Sequence, residues 1–296
     1  IAVFFFLCQV MTCVGVKERP LPPARKEDKI SFKKMIRVIF KNDQLLWVTL
    51  IMILYNLGSA FLTAFGVNYI YLEKGYSGAF VTMFVAFYAL ASVLTNGLYP
   101  KIAAKFTRKK MAAIALTVTV IGYALFFLNR LLLPMSMGVL CAEAFIISAG
   151  QTLFYMVITI CLTNTIEYNE YKTGSRDEAI IFSLRPFMAK LSSALEQVVI
   201  TLVYIAIGMI AITNNITEFE NKANMGEITE EVKAEKIAEV LGQASPATAF
   251  WLKVFIVALP VILISTAYFV MRKKTTIDED EYRRMLEEIK ARKENG

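Results

Sequence analysis

The sequence predicts an all-α, polytopic membrane protein with six full transmembrane helices, preceded by the end of a further one. Three observations carry that expectation. Apolar residues make up 56% of the 296 residues, above the roughly 45–50% usual in soluble domains. Six apolar runs each reach the ~20 residues a helix needs to cross a hydrocarbon core. The loops between them alternate between rich and poor in Lys and Arg, the asymmetry that orients membrane helices.

The opening IAVFFFLCQVMTCVGV (1–16) has no basic n-region and no small-residue cleavage site, so it does not read as a signal peptide. Slightly short for a span, it reads as the end of a truncated transmembrane helix. Residues 17–43 form a central loop, with nine Lys/Arg between Lys17 and Lys41. The six-helix bundle occupies 44–272. Its spans are expected at Leu45–Leu72, Ala79–Tyr99, Met111–Leu128, Met135–Leu162, Ile180–Ile212 and Ala249–Val270.

The KIAAKFTRKK loop holds five Lys/Arg and no acid, and the tail 273–296 follows directly on Arg272. On the opposite side, YLEKGYSG and NRLLLP carry one basic residue each, and the loop 213–248 holds seven Glu against three Lys. The positive-inside rule therefore places the central loop, the KFTRKK loop, the Asn164–Ala179 loop and the tail in the cytoplasm. Both ends of the chain are then cytoplasmic, and the location is the plasma or inner membrane. Within the outer loop, Ile228, Val232, Ile237 and Leu241 mark a short amphipathic helix over Glu227–Gly242. The tail DEDEYRRMLEEIKARK reads as a charged helix in solvent.

Composition also excludes functions. There is no His, and the four cysteines (Cys8, Cys13, Cys141, Cys161) lie in apolar runs without a CxxC, so neither a metal site nor a disulfide framework is expected. The net charge of +7 clusters beside the spans, which is topology rather than nucleic-acid binding. No nucleophile–base pair points to an enzyme.

Polar residues fall in stripes on four of the six spans. The first carries Thr49, Asn56, Ser59 and Thr63; the second Tyr88, Ser92, Thr95 or Asn96, and Tyr99; the fourth Glu143, Gln151, Tyr155 and Thr159. The fifth carries Lys190, Ala194, Gln197, Thr201, Tyr204 and Gly208 at helical spacing. The third and sixth lack such a stripe. Two three-helix units, each placing its third helix against lipid, would give this order, and such repeats mark secondary transporters. Ser, Thr and Tyr stripes also serve helix packing. The ionisable Glu143, Lys190 and Glu196 are stronger candidates, because a charge in the membrane costs several kcal/mol unless it faces a cavity or a partner.

The stretch NTIEYNEYKTGSRDEAIIFSLRPFMAK (Asn164–Lys190) holds eight charges between apolar runs. Its pattern of Glu167, Tyr168, Glu170, Lys172, Thr173, Gly174, Arg176, Glu178 and Ala179, followed by Ser183, Phe187, Lys190 and Ala194, resembles the signature of the glycoside–pentoside–hexuronide:cation symporters. These form the melibiose-carrier-like branch of the major facilitator superfamily. The resemblance implies that the chain runs from the end of the sixth helix through the twelfth. It would then be the C-terminal bundle of a carrier that moves a sugar, glycoside or hexuronide with a cation by alternating access. The coupling ion (Na+, H+ or Li+) would bind mainly to an N-terminal six-helix bundle, the partner of this one, and no organic cofactor is implied.

The resemblance ties Lys190 to the sugar and cation region. Gln197, Arg185, Asn56, Gln151, Tyr155 and Thr201, from the polar stripes and the start of the fifth span, complete the expected substrate-binding set. Glu167, Glu170, Lys172, Arg176 and Glu178 form an expected cytoplasmic gate, since exposed ion pairs worth ~0–1 kcal/mol each exchange partners cheaply. Pro186 makes a kink plausible. Two departures stand out. The family pattern has an acid at Asn164 and often a neutral polar residue at Arg185. A guanidinium binds carboxylates bidentately, so Arg185 raises a hexuronide as cargo. Other readings are a lysolipid carrier of the same fold and a half-size membrane scaffold that transports nothing.

Overall fold

The computed structural model describes residues 2–15, 32–132 and 134–294. It divides into two units, 1–36 and 37–296. In the first, α1 (Ala2–Gly15) is apolar, and its described side chains are exposed. Most of the expected central loop lies outside the described residues. A short basic helix, α2 (Phe32–Lys41), crosses into the second unit.

Six helices of the second unit are long and apolar enough to cross a membrane: α3 (Asp43–Lys74), α4 (Gly78–Ala103), α5 (Arg108–Leu128), α6 (Met137–Thr173), α7 (Glu178–Ala206) and α10 (Pro246–Lys274). Between the last two come α8 (Ile210–Asn224) and α9 (Glu230–Gly242), and α11 (Glu279–Glu294) closes the chain. Capping residues set several starts. Asn42 accepts from the Leu45 N–H (2.9 Å) to begin α3, while Ser136, Thr229 and Ser245 cap α6, α9 and α10 in the same way.

The packing is that of two interlocked units of three spans. α3 packs on α7 and α10, the second and third spans of the other unit, and α6 packs on α4 and α5 in the same relation. α3 and α6 also touch each other, as do α5 and α10. This pseudo-symmetric exchange is the arrangement expected of secondary transporters. Small residues permit it. A Cβ on Gly150 would lie 2.6 Å from the Thr119 backbone nitrogen, one on Gly122 2.7 Å from Ile147, and one on Gly58 3.0 Å from Ile264. In lipid, such close backbone approach drives helix association.

Four expectations need correction. The third and sixth spans are not the most exposed, since 39% and 33% of their apolar windows are buried, against 11% for α4 and 22% for α7. Ala112, Ala115 and Gly122 let α5 sink into the bundle without any polar stripe, so the absence of polarity there reports packing rather than lipid. The 164–179 segment is mostly helix. α6 carries its charges to Thr173 and stops only at Gly174, whose φ of 76° favours glycine. The fifth span ends at Ala206, earlier than Ile212, because Gly208 turns the chain at φ 71°. Finally, α11 is docked rather than solvated, with Met285 and Ile289 buried four residues apart. α7 itself continues through Pro186 as one helix.

Candidate functional site

α3, α6 and α7 bring several polar side chains together midway along the bundle. Tyr55 stacks on Tyr155 with ring centres 5.6 Å apart. Its hydroxyl donates to the Gln151 carbonyl at 2.8 Å, one turn before Tyr155, which fixes the stack. Arg185 reaches from α7 and donates from Nε and Nη2 to the Tyr155 hydroxyl at 3.1 and 2.9 Å. Its guanidinium carbon also lies 5.6 Å from the centre of that ring, within cation–π range. No carboxylate pairs with Arg185 among the described residues.

Gln151 stands behind this pair. It is buried, with its side-chain oxygen accepting from Tyr88 (2.6 Å) and its amide donating to Tyr123 (3.0 Å). One glutamine therefore braces α6 against α4 and α5, while its backbone holds α3. Asn56 is half-buried on α3, one turn from Ile53, whose carbonyl accepts from Ser192 on α7 at 3.5 Å. Farther along, Asn68 donates to the Tyr204 hydroxyl at 2.7 Å and ties the same two helices again.

The outer face of α7 is open. Lys190, Gln197 and Thr201 are all exposed there, with Thr201 donating to the Gln197 carbonyl at 2.9 Å. Lys190 lies 12 residues from the start of α7 and 16 from its end (190 − 178 and 206 − 190). At 1.5 Å per residue it sits ~18 Å from one end and ~24 Å from the other. It makes no hydrogen bond or ion pair among the described residues. Glu196 is half-buried on the same helix, likewise without a partner among them.

Glu143 belongs elsewhere. Near the start of α6 it is buried and accepts from Asn129 at 3.0 Å, while Lys253 on α10 donates to the Asn129 carbonyl. Arg130 pairs with Glu73 beside them. Glu143 therefore joins α5, α6 and α10 at one end of the bundle and makes no contact with Glu196 among the described residues. One oxygen of Glu143, the side-chain oxygen of Asn129 and the Tyr69 hydroxyl are buried there without a protein partner.

At the opposite end the residues expected to form a gate meet around Arg176. Its guanidinium contacts Glu167 at 2.9 Å, Glu178 at 2.9 Å and Glu170 at 3.4 Å. Lys172 turns away and pairs with Asp43 on α3 at 2.6 Å, where Tyr168 also donates at 3.0 Å. The tail closes over this cluster: Lys293 pairs with Glu170 at 2.6 Å, and Arg292 donates to the Tyr171 carbonyl at 2.8 Å. Asn164, where the resemblance implies an acid, is buried. With its amide turned to satisfy both neighbours, it accepts from Arg108 and donates to the Ile160 carbonyl at 3.3 Å. Arg108 finds its carboxylate in Glu279 of the tail, at 3.2 Å.

Sequence reasoning thus named Tyr155, Arg185, Gln151 and four residues of the Arg176 cluster, and the structure brings each set together. Tyr55, Asp43, Asn129, Lys253 and Lys293 were missed. Asp43 fell within the expected central loop (17–43), and Tyr55 lies one position outside the polar stripe. The apolar pair Met285 and Ile289 was the one available signal that the tail docks.

Comparison with known proteins agrees with this architecture. A lactose permease of Lactobacillus delbrueckii subsp. bulgaricus is 24% identical over 98% of this chain and 42% of its own length. The raffinose carrier protein of Pediococcus pentosaceus is 27% identical over 62% of the chain and 28% of its own length. An uncharacterised symporter of Bacillus subtilis is 24% identical over 66% of the chain and 41% of its own. The chain thus spans less than half the length of these relatives. The model of the family described as MFS/sugar transport protein matches residues 1–279. This multi-pass membrane chain belongs to the MFS/sugar transport family, within its glycoside–pentoside–hexuronide branch.

Proposed function

We propose that this chain supplies one of the two six-helix bundles of a sugar symporter, which rocks against a second bundle around a site near the membrane midplane. The observation that carries the reading is Lys190. A lysine ~18 Å from the nearer end of a span cannot lie in hydrocarbon without a cost of several kcal/mol, and nothing among the described residues pairs with it. The exposed face of α7 therefore borders an aqueous path or a second bundle. α4, the least buried span, would form the other flank.

In this reading Lys190, Gln197, Thr201 and Asn56 offer donors and acceptors to sugar hydroxyls. Tyr155, held by Arg185 and Tyr55, offers a ring face, and Gln151 positions it from behind. The cargo is a di- or trisaccharide, as the names of the lactose and raffinose relatives suggest. A monovalent cation (Na+, H+ or Li+), bound mainly by the second bundle, would couple by stabilising the sugar-bound state. The Arg176 cluster, on the side the positive-inside rule assigns to the cytoplasm, would open and close with the cycle. Uptake of labelled lactose and raffinose by proteoliposomes holding the full-length transporter tests the reading. Lys190→Gln should lower uptake at least tenfold, about 1.4 kcal/mol, with unchanged protein yield. Undiminished uptake by that variant would refute the role of Lys190.

A further inference from the structure

A second polar feature lies far from Lys190. Where α5 begins and α10 ends, a cavity of about 290 Å³ opens between them, backed by α6. Its walls are apolar: Ala113, Val157, Tyr268, Met271 and Ile277 all contribute. Its mouth carries Arg108, Lys109, Lys110 and Arg272 against only Asp278 and Glu279.

Four cations against two acids leave an excess of two positive charges, and the pairing shows which residues carry it. Glu279 takes the Arg108 backbone N–H at 2.7 Å and its Nε at 3.2 Å. Asp278 takes Lys109 at 3.1 Å. Lys110 and Arg272 are exposed and have no hydrogen bond or ion pair among the described residues. Both acids stay ionised near neutral pH. Asp278 is lowered by the Glu281 backbone N–H and then by Lys109. For Glu279, burial alone would push the carboxyl up, and the Arg108 backbone N–H and guanidinium outweigh it. The excess therefore belongs to Lys110 and Arg272.

Position selects the occupant. Lys110 lies in the first turn of one span and Arg272 in the last turn of another. Both stand where headgroups meet hydrocarbon, with an apolar crevice below them. A free sugar or a soluble anion has no use for that wall; an acyl chain does. We infer that this crevice binds one anionic phospholipid, its phosphate between Lys110 and Arg272 and the start of an acyl chain against Ala113, Val157 and Met271. The volume lies at the small end of the ~300–1,000 Å³ usual for ligand sites, enough for a headgroup and the first carbons of a chain. Basic pockets between transmembrane helices are known receptors for such headgroups.

The site sits at the junction of the bundle and the docked tail. The segment lining it, Thr275–Asp278, is pinned to α3 through Gln44, which accepts from the Thr276 N–H at 2.9 Å. A lipid there would neutralise the two unpaired cations beside the Arg108–Glu279 bridge and so strengthen the tail's attachment.

Native mass spectrometry of the full chain released from nanodiscs of equal phosphatidylglycerol and phosphatidylcholine tests the inference. One retained phosphatidylglycerol per chain is expected, falling about tenfold in the double variant Lys110→Gln, Arg272→Gln. It should be unchanged in Lys222→Gln, Lys236→Gln at the far end. Cys161→Phe, which narrows the crevice without touching charge, should also displace it, while 10 mM inorganic phosphate should not. Equal retention of both lipids, retention unaffected by the Lys110/Arg272 variant, or displacement by inorganic phosphate would each overturn it. The Lys110/Arg272 pair is exposed, so that variant folds even if Cys161→Phe does not.

Discussion

Gly150→Ala is the sharpest test of how this bundle is held together. The added Cβ would lie 2.5 Å from Thr119 Oγ1, 2.6 Å from the Thr119 nitrogen and 2.9 Å from the Ala115 carbonyl oxygen. Two of those atoms are backbone, so no rotamer change relieves the contact, and α5 must retreat by about 1 Å. Overpacking of this kind costs about 1–3 kcal/mol. The retreat also stretches the 3.0 Å bond from Gln151 to Tyr123, worth ~0.6–2 kcal/mol between membrane helices. Against these stands the better helix propensity of Ala, ~1 kcal/mol. The net is a loss of about 0.6–4 kcal/mol, centred near 2, and the central value lowers the apparent Tm by about 4–8 °C at ~2–4 °C per kcal/mol. The assay is thermal unfolding in detergent beside Gly138→Ala, which lies on the same helix with nothing within 4 Å of the new Cβ. Gly138→Ala should melt with the wild type or above it. If both variants melt together, the close approach of α5 and α6 does not hold the bundle.

Other consequences follow from the same geometry. Glu143→Ala strands the Asn129 amide and removes one of the two carboxylates, Glu143 and Glu73, that act on Lys253. It should destabilise by about 1–3 kcal/mol, while Glu143→Gln keeps an acceptor and should cost less than half as much in the same melting assay. The docked tail should respond to acid in one window only. Asp278 and Glu279 titrate below their ordinary 3.8 and 4.5 in the fold, so their contribution is complete above those values and lost as pH falls through the lower folded ones. Amide exchange over 279–294, corrected for intrinsic rate, should be level from pH 8 to 6 and rise only below about 4.5; loosening between pH 8 and 6 would contradict this. Arg185→Gln should cost more uptake of glucuronides than of neutral glycosides, since only a carboxylate competes well with the Tyr155 hydroxyl for the guanidinium; the reverse order removes the hexuronide reading.

The spans were legible because bilayer thickness imposes a length and hydropathy that few other structures require. Ends were less so. The charges of α6 suggested a loop, yet a helix tolerates charge at its solvated end, and only the positive φ of Gly174 marks the stop. Burial was least legible, since the small residues of α5 carry no polar signal while sinking it deep into the bundle. The Arg176 cluster could be anticipated from its residues, but not Lys172 turning to Asp43, a contact 129 residues apart in sequence. Tyr155, Arg185 and Gln151 all stood in the expected substrate-binding set. That they form one unit, with Gln151 as its brace, depends on three helices meeting and is written in no local pattern.

In the proposed mechanism Lys190 faces water and sugar rather than lipid. Cysteine at that position, in a background with Cys8, Cys13, Cys141 and Cys161 replaced, can be compared with cysteine at Val198, an exposed apolar position on the same helix. The measurement is the rate of modification by a water-soluble, membrane-impermeant thiol reagent, in membranes holding the full-length transporter, with and without lactose or raffinose. Fast modification at 190, slowed by sugar, with slow and sugar-independent modification at 198, is the expected result. Equally slow modification at both positions, unchanged by either sugar, would place Lys190 against lipid and contradict the account.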